Sequence, residues 1–97
     1  MKSESLSFTI KATIWKWPGE MPWHFINIDK EISKQIRDTF PSVSLVKINA
    51  QINGSIWNTS LFRNNRDNNY LLPIKKQIRK KESIQDAEII TVTIKFL

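Results

Sequence analysis

Three stretches of the chain alternate apolar and polar residues with a period of two. The clearest is EIITVTIKFL at residues 88–97, in which isoleucine, valine and phenylalanine alternate with threonine and lysine. The other two stretches cover residues 6–15 and 45–52. Successive side chains of a β-strand point to opposite faces of its sheet, so the alternation predicts half-buried strands in all three places.

Two turn signals place further strands. The sequence WPGEMP at residues 17–22 interrupts the first strand, because proline cannot donate to a strand ladder and glycine permits turn geometry. A short strand is expected to resume at residues 23–28. Asn53 and Gly54 favour a two-residue type I′ hairpin turn, which needs positive φ at both central positions, and a returning strand at residues 55–61.

One segment has the spacing of an amphipathic helix. Apolar residues recur every four positions from Ile28 to Phe40, which predicts a helix over about residues 30–40. Asp29 is suited to cap its first turn, since a carboxylate accepts from the free N–H groups there. Pro41 ends the helix, because the residue before a proline is driven out of the α region.

A second, short helix is expected over about residues 74–81, after a strand at 70–72. Pro73 suits the first turn of such a helix, with Ile74 and Ile78 facing inward. All 97 residues then form one domain. The fold class is mainly β: a small barrel of about six strands with one α-helix and one short basic helix.

The charge of the chain is uneven. Its formal net charge is +6, and one run of seven residues carries Lys75, Lys76, Arg79, Lys80 and Lys81. Such a cluster favours an anionic partner, of which nucleic acid is the leading candidate. The alternative is that the short basic helix is only a solvated face that keeps the protein soluble.

Four tryptophans, Trp15, Trp17, Trp23 and Trp57, form a second candidate site. Trp15 and Trp17 fall on the face opposite the apolar row of the first strand, where they could form a stacking platform or a pocket for an apolar or aromatic small molecule. We favour instead that the strand bulges at the barrel rim, and that Trp15, Trp17 and Trp23 close one end of the core. Trp57 is expected to line the barrel or to anchor a cross-strand pair.

The residue composition gives little support for a catalytic role. The chain has no cysteine and a single histidine, His24, which we expect to lie on a strand surface or to donate to a backbone carbonyl. No nucleophile–base pair and no histidine- or thiolate-based metal site can be built from this set. Its two glycines, Gly19 and Gly54, lie too far apart for a phosphate-binding loop. We therefore expect a protein that is not an enzyme and has no cofactor and no metal.

Location and assembly are expectations of the same kind. No apolar run approaches the ~20 residues that span a bilayer, so we expect no membrane span. The opening residues, MKSESLSF, lack the apolar stretch of a secretory signal, so a cytoplasmic location is expected. A monomer and a homodimer both remain open, and so does a purely structural or interaction role.

The order of these elements resembles a small bacterial family catalogued as a domain of unknown function. Its members stand alone or precede YdeI/OmpD-associated (bacteriocin-protection) segments. The resemblance runs from Phe8 to Phe96 and rests on WHFI at 23–26, the hairpin at 46–61 and YLLPI at 70–74, besides the first helix and the outer strands. It implies a small β-barrel with a helix covering one end, and it implies no activity.

The chain departs from the family pattern in two places. The family tends to have glycine where Asn69 lies, and asparagine can replace glycine at positive φ. It usually has Gly-Asp before the last strand, where this chain has Ala87 and Glu88. Alanine replaces glycine poorly in a left-handed conformation, so a changed turn is expected there.

Overall fold

The described part of the chain forms seven strands and two helices. A computed structural model describes residues 7–21 and 23–97. Leu6, at the predicted start of the first strand, and Pro22, in the predicted turn, lie outside the described residues. The elements are β1 (Ser7–Thr13), β2 (Trp15–Lys16), β3 (His24–Asn27), α1 (Lys30–Thr39), β4 (Leu45–Ile52), β5 (Ser55–Arg63), β6 (Tyr70–Pro73), α2 (Lys76–Lys81) and β7 (Ile89–Phe96). The predicted mainly β class is confirmed.

All strands pair antiparallel in one sheet, in the order β1-β7-β4-β5-β6-β3-β2. The two ends of this order, β1 and β2, are consecutive in the chain and are separated only by Ile14. Ile14 donates to the Glu88 carbonyl at 2.9 Å and accepts from the Ala87 N–H at 3.1 Å. The sheet therefore curls back on itself through one bent strand, which gives a barrel-like shape and one strand more than the sequence predicts.

The core fills the concave side of this sheet. The inward positions of the two alternating stretches in β4 and β7 are buried, as the period of two predicts. Trp57 also belongs to this core, opposite Ala50, in keeping with the role predicted for it. Phe96 lies at the rim, where its ring meets the edge of Phe8 at 6.0 Å and also packs on Phe40 at 5.5 Å.

Helix α1 matches its prediction. The Asp29 carboxylate accepts from the Ile32 N–H at 2.8 Å and so caps the first turn. The buried Ser33 ties the helix to the sheet, because its hydroxyl donates to the Ile28 carbonyl and accepts from the Tyr70 N–H, both at 3.1 Å. Neither helix within residues 7–21 and 23–97 is long and apolar enough to cross a bilayer.

Helix α2 begins two residues later than predicted, at Lys76. Pro73 is the last residue of β6, where it pairs with Phe25, and it does not lie in the first helical turn. The Ile74 N–H continues that ladder by donating to the His24 carbonyl at 2.9 Å, and Lys75 is still extended. Because Pro73 and Ile74 pair with β3, they cannot take part in the helix.

Left-handed backbone marks four turns, one of them at Ser83 after α2, where φ is 54°. Asn53 has a φ of 50°, but Gly54 lies outside the left-handed region, so the hairpin is confirmed and its predicted type I′ geometry is wrong. In the loop before β6 the left-handed residue is Asn68, one position ahead of Asn69. Ala87 has a φ of 66°, so it keeps the backbone that glycine favours instead of changing the turn.

The strain at Ala87 generates a stability prediction. Glycine at this position removes the steric cost of the left-handed conformation, about 1–2 kcal/mol, which exceeds the destabilising effect of the greater entropy that glycine gives the unfolded chain, so Ala87→Gly should stabilise the fold by about 0.5–1 kcal/mol. Urea denaturation measures the difference. Ala12→Gly, in the extended strand β1, is the matched control and should destabilise by a similar amount. A loss of stability in Ala87→Gly would contradict the argument.

Candidate functional site

Four aromatic side chains gather on the hairpin of β2 and β3. Trp15 pairs across the hairpin with Phe25, and the Trp17 N–H donates to the Trp23 carbonyl at 2.8 Å. Phe25 is central: the ring of Trp23 stacks on it at 5.9 Å, Trp15 lies at 5.4 Å and Trp17 at 6.1 Å. We call Trp15, Trp17, Trp23 and Phe25 the aromatic cluster.

The aromatic cluster lies outside the core. Trp17 is 45% exposed and Trp23 41% exposed, so the favoured expectation that the tryptophans close the barrel end is wrong. Ile14 and Ile26 already fill that part of the core. Because side chains alternate along each strand, the aromatic cluster is left on the opposite, outer face. Trp57, in the core, does not join the other three tryptophans.

An apolar cleft runs between the exposed rings. It has a volume of about 300 Å³ and is lined by Trp17, Met21, Trp23, Phe25 and Phe62. We call it the aromatic cleft. Sequence reasoning missed Phe62, which reaches the cleft because β5 and β3 both flank β6 in the sheet.

A second cavity lies beyond the tip of the hairpin and shares Met21 and Trp23 with the aromatic cleft. We call it the basic cavity; its volume is about 430 Å³. Its remaining lining residues come from three chain segments and are mostly cationic: Lys16, His24, Pro73, Ile74, Lys75, Lys76 and Arg79.

The structure divides the predicted basic run. Lys75, Lys76 and Arg79 line the basic cavity, whereas Lys80 and Lys81 are exposed and do not. Lys16, which sequence reasoning missed, joins them because it pairs with His24 on β3, and β3 in turn pairs with β6, the strand before the helix. No signal in the sequence connects residues so far apart.

His24 is buried, contrary to the expectation that it lies on a strand surface. It is 6% exposed, and its Nε2 lies 2.6 Å from Oδ1 of Asp86 in the loop before β7. Its Nδ1 is enclosed and has no hydrogen-bond partner among the described residues. His24 alternates with Trp23 and Phe25 along the chain, so its side chain faces the inner side of the hairpin. There the loop before β7, which carries Asp86, covers it.

Helix α2 is held firmly against the sheet. Ile78 is buried, and the Arg79 Nε donates to the Ile74 carbonyl at 3.1 Å. After the helix, the Glu82 carboxylate accepts from the Ser55 hydroxyl at 2.5 Å and from the Asn53 amide at 3.0 Å. These two hydrogen bonds lower the pKa of Glu82 below its ordinary value. The basic side chains therefore extend from a fixed scaffold.

A third cavity adjoins the other side of the aromatic cluster. We call it the arginine cavity; it has a volume of about 620 Å³. Arg63 and Arg66 line it together with Trp15 and Trp17, and its other lining residues are Pro18, Asn64, Asn65 and Leu71. Asn27 fixes the Trp15 indole by accepting from its Nε1 at 2.9 Å.

The three cavities form one chemical surface. An apolar cleft with exposed aromatic walls separates two cavities lined by cations, and it shares side chains with each. No acidic residue in the described part of the chain lines any of the three. Among residues 7–21 and 23–97, no three carboxylates or histidines come together as a metal site would require. The arrangement suits an anionic ligand with flat rings.

The family expectation is supported by direct comparison. Residues 11–94 match the family model described as a domain of unknown function (DUF1905). The match covers most of the 97 residues, so the chain belongs to this family. No curated protein matches the chain.

The contacts of Glu82 predict a pH dependence of stability. Its folded-state pKa lies below the ordinary value of 4.5, so the ionised carboxylate stabilises the fold above that pH, and this contribution is lost as the pH falls through the folded pKa. Glu82→Gln should therefore lower the thermal midpoint at pH 7, and the difference from the native chain should vanish in strong acid.

The matched control for this prediction is Glu20→Gln, in the exposed loop between β2 and β3. It removes the same charge and should change the thermal midpoint little at either pH. If Glu82→Gln lowered the thermal midpoint by the same amount in acid and at neutral pH, the charge of the carboxylate would not be what stabilises the end of α2.

Proposed function

We propose that this DUF1905-family protein is a non-catalytic module that binds single-stranded nucleic acid around its β2–β3 hairpin. The observation that supports the proposal is the position of the aromatic cleft between the basic cavity and the arginine cavity, with walls shared on both sides. Proteins that bind single strands combine the same two components, stacking rings and a cationic path for the backbone.

The aromatic cleft would take bases. Trp17 and Trp23 present exposed ring faces, and every base has a π-face to lay on them. Exposed apolar surface of this kind is costly unless a partner covers it, which makes such patches typical of interaction sites. The faces of bases in a duplex are already stacked on one another, so the cleft favours a single strand.

The flanking cavities would take phosphates. Lys16, Lys75, Lys76 and Arg79 lie on one side, and Arg63 and Arg66 lie on the other. No ion pair within the described residues neutralises any of these six side chains. Phosphates that replace counterions around them would supply a large, salt-sensitive share of the affinity.

A small aromatic or apolar molecule is the second candidate ligand. The aromatic cleft favours it, because the described side chains that line it are all apolar or aromatic and its volume is about 300 Å³. The two candidates differ in their charge dependence. A small apolar ligand would be indifferent to salt and to the lysines and arginines of the neighbouring cavities.

The salt dependence of binding tests the role of the cations. A labelled oligothymidine of roughly 12 nucleotides should bind at ~50 mM salt and lose most of its affinity at ~200 mM, as measured by fluorescence anisotropy. Lys16→Gln and Arg66→Gln, one in each cationic cavity, should each flatten the slope of log affinity against log salt by about 0.7. Lys47→Gln, an exposed change on β4 outside all three cavities, should leave the slope unchanged. Affinity that does not respond to salt would overturn the proposal.

Aromatic substitutions test the stacking surface separately. Loss of one stacked base costs about 1–3 kcal/mol, so Trp17→Ala and Trp23→Ala should each weaken oligothymidine binding about 5- to 150-fold. Both indoles are exposed, so circular dichroism should show an unchanged fold. Ile56→Ala, which removes an apolar side chain that is 60% exposed on β5, is the matched control and should bind normally. Full affinity in both tryptophan variants would show that bases do not stack there.

A further inference from the structure

The basic cavity has a feature that a general phosphate path does not need. Four cations from two distant parts of the chain converge on it, and His24 forms part of its wall. We propose that this cavity is a subsite for a phosphate monoester, the terminal phosphate of a nucleic-acid strand. That the phosphate belongs to a nucleic-acid strand rests on the proposed function. That the cavity prefers a phosphate monoester rests on the residues of the cavity itself.

The charge of the cavity favours a dianion. Lys16, Lys75, Lys76 and Arg79 face it without any acidic lining residue in the described part of the chain. A phosphodiester inside a strand carries one negative charge, whereas a phosphate monoester carries about 1.5–2 at pH 7 and offers three acceptor oxygens. The four convergent cations should therefore bind the phosphate at a strand end more tightly than an internal phosphate.

His24 is an independent observation that points to a ligand. The ring is almost completely buried at the cavity wall, and its Nε2 is engaged by Asp86. Its Nδ1 is a buried polar atom with no partner among the described residues, as are the Arg63 Nε and the Tyr70 hydroxyl, and such an atom calls for a partner. A phosphate bound beside the ring would change its electrostatic environment, so the single imidazole is a direct reporter of binding in the cavity.

The position of the cavity explains why a strand end would enter it. Lys16 and His24 lie on the face of the hairpin opposite the aromatic cluster, and, of the residues that the structure describes, Met21 and Trp23 at the tip line both the basic cavity and the aromatic cleft. A terminal nucleotide can place its base against Trp23 and its phosphate beyond the tip. The arginine cavity has no histidine, and it suits the internal phosphates that follow.

Three oligonucleotides of one sequence test the subsite: one with a 5′-phosphate, one with a 3′-phosphate and one with hydroxyls at both ends. A charge-assisted contact of this kind is worth about 10- to 150-fold in affinity, so one phosphorylated form should bind at least about tenfold more tightly than the hydroxyl form. The double variant Lys75→Gln, Lys76→Gln should abolish that advantage.

The matched control is the double variant Lys80→Gln, Lys81→Gln. It removes the same charge from the same segment at exposed positions outside the cavity, so the preference for a phosphorylated end should persist. Equal affinity of the three oligonucleotides would overturn the subsite. An equal loss of preference in the two double variants would also overturn it, because general electrostatics would then account for the effect.

A second measurement does not depend on strand binding. His24 is the only histidine, so a tag-free protein has one set of imidazole resonances. Inorganic phosphate and a nucleoside 5′-monophosphate should shift them saturably, and the unphosphorylated nucleoside should not. A shift by phosphate without oligonucleotide binding would leave the subsite standing for a free phosphate and would refute the proposed function. Oligonucleotide binding without end preference, with unmoved His24 resonances, would refute the subsite alone.

Discussion

The bend of the first strand at Ile14 is the constraint on which the rest of the structure depends. Ile14 is fully buried, and its backbone is held from both sides by the turn before β7. Up to this residue the chain pairs with β7, and beyond it the chain pairs with β3. One strand thus closes the two ends of the sheet. The left-handed backbone of Ala87 is part of the same contact, because its N–H donates to the Ile14 carbonyl.

The bend also creates the site. It places β2 beside β3, and β3 lies beside β6, from which the chain continues into α2. Alternation along the β2–β3 hairpin then sorts its side chains. The aromatic cluster goes to the outer face, and Lys16 and His24 go to the inner one. Three cavities with shared walls result from this hairpin, from the helix that follows β6, and from the end of β5 with its following loop, which supplies Phe62, Arg63 and Arg66.

Rigidity around the basic cavity comes from contacts of moderate strength. Ile78 is buried under α2, Arg79 is bound to a backbone carbonyl, and Glu82 is held by two donors from the β4–β5 hairpin. A helix of six residues would be unstable alone, because nucleation is costly and few hydrogen bonds repay it. Its cations are therefore presented by the tertiary structure and not by helix propensity. Preorganisation of this kind lowers the entropy lost when an anion binds.

The sequence by itself determined the local elements of this protein. The period of two defined β4 and β7, Asn53 and Gly54 placed the hairpin, and the spacing of four with an Asp29 cap defined α1. These features depend on residues a few positions apart, and local alternation and capping follow from backbone geometry alone. The sequence also singled out the three tryptophans that line the cavities and three of the six cations that line them, Lys75, Lys76 and Arg79.

Only the tertiary structure decided which of these residues meet and which face they occupy. His24 is buried because Asp86, 62 positions away, lies over it, and Lys16 joins Lys75 because two strand pairings bring them to one wall. Pro73 continues a strand because β3 supplies a partner for the residue after it. The exposure of Trp17 depends on the core being full already. Pairing across the sheet and competition for core volume are long-range effects, and no periodicity along the chain encodes them.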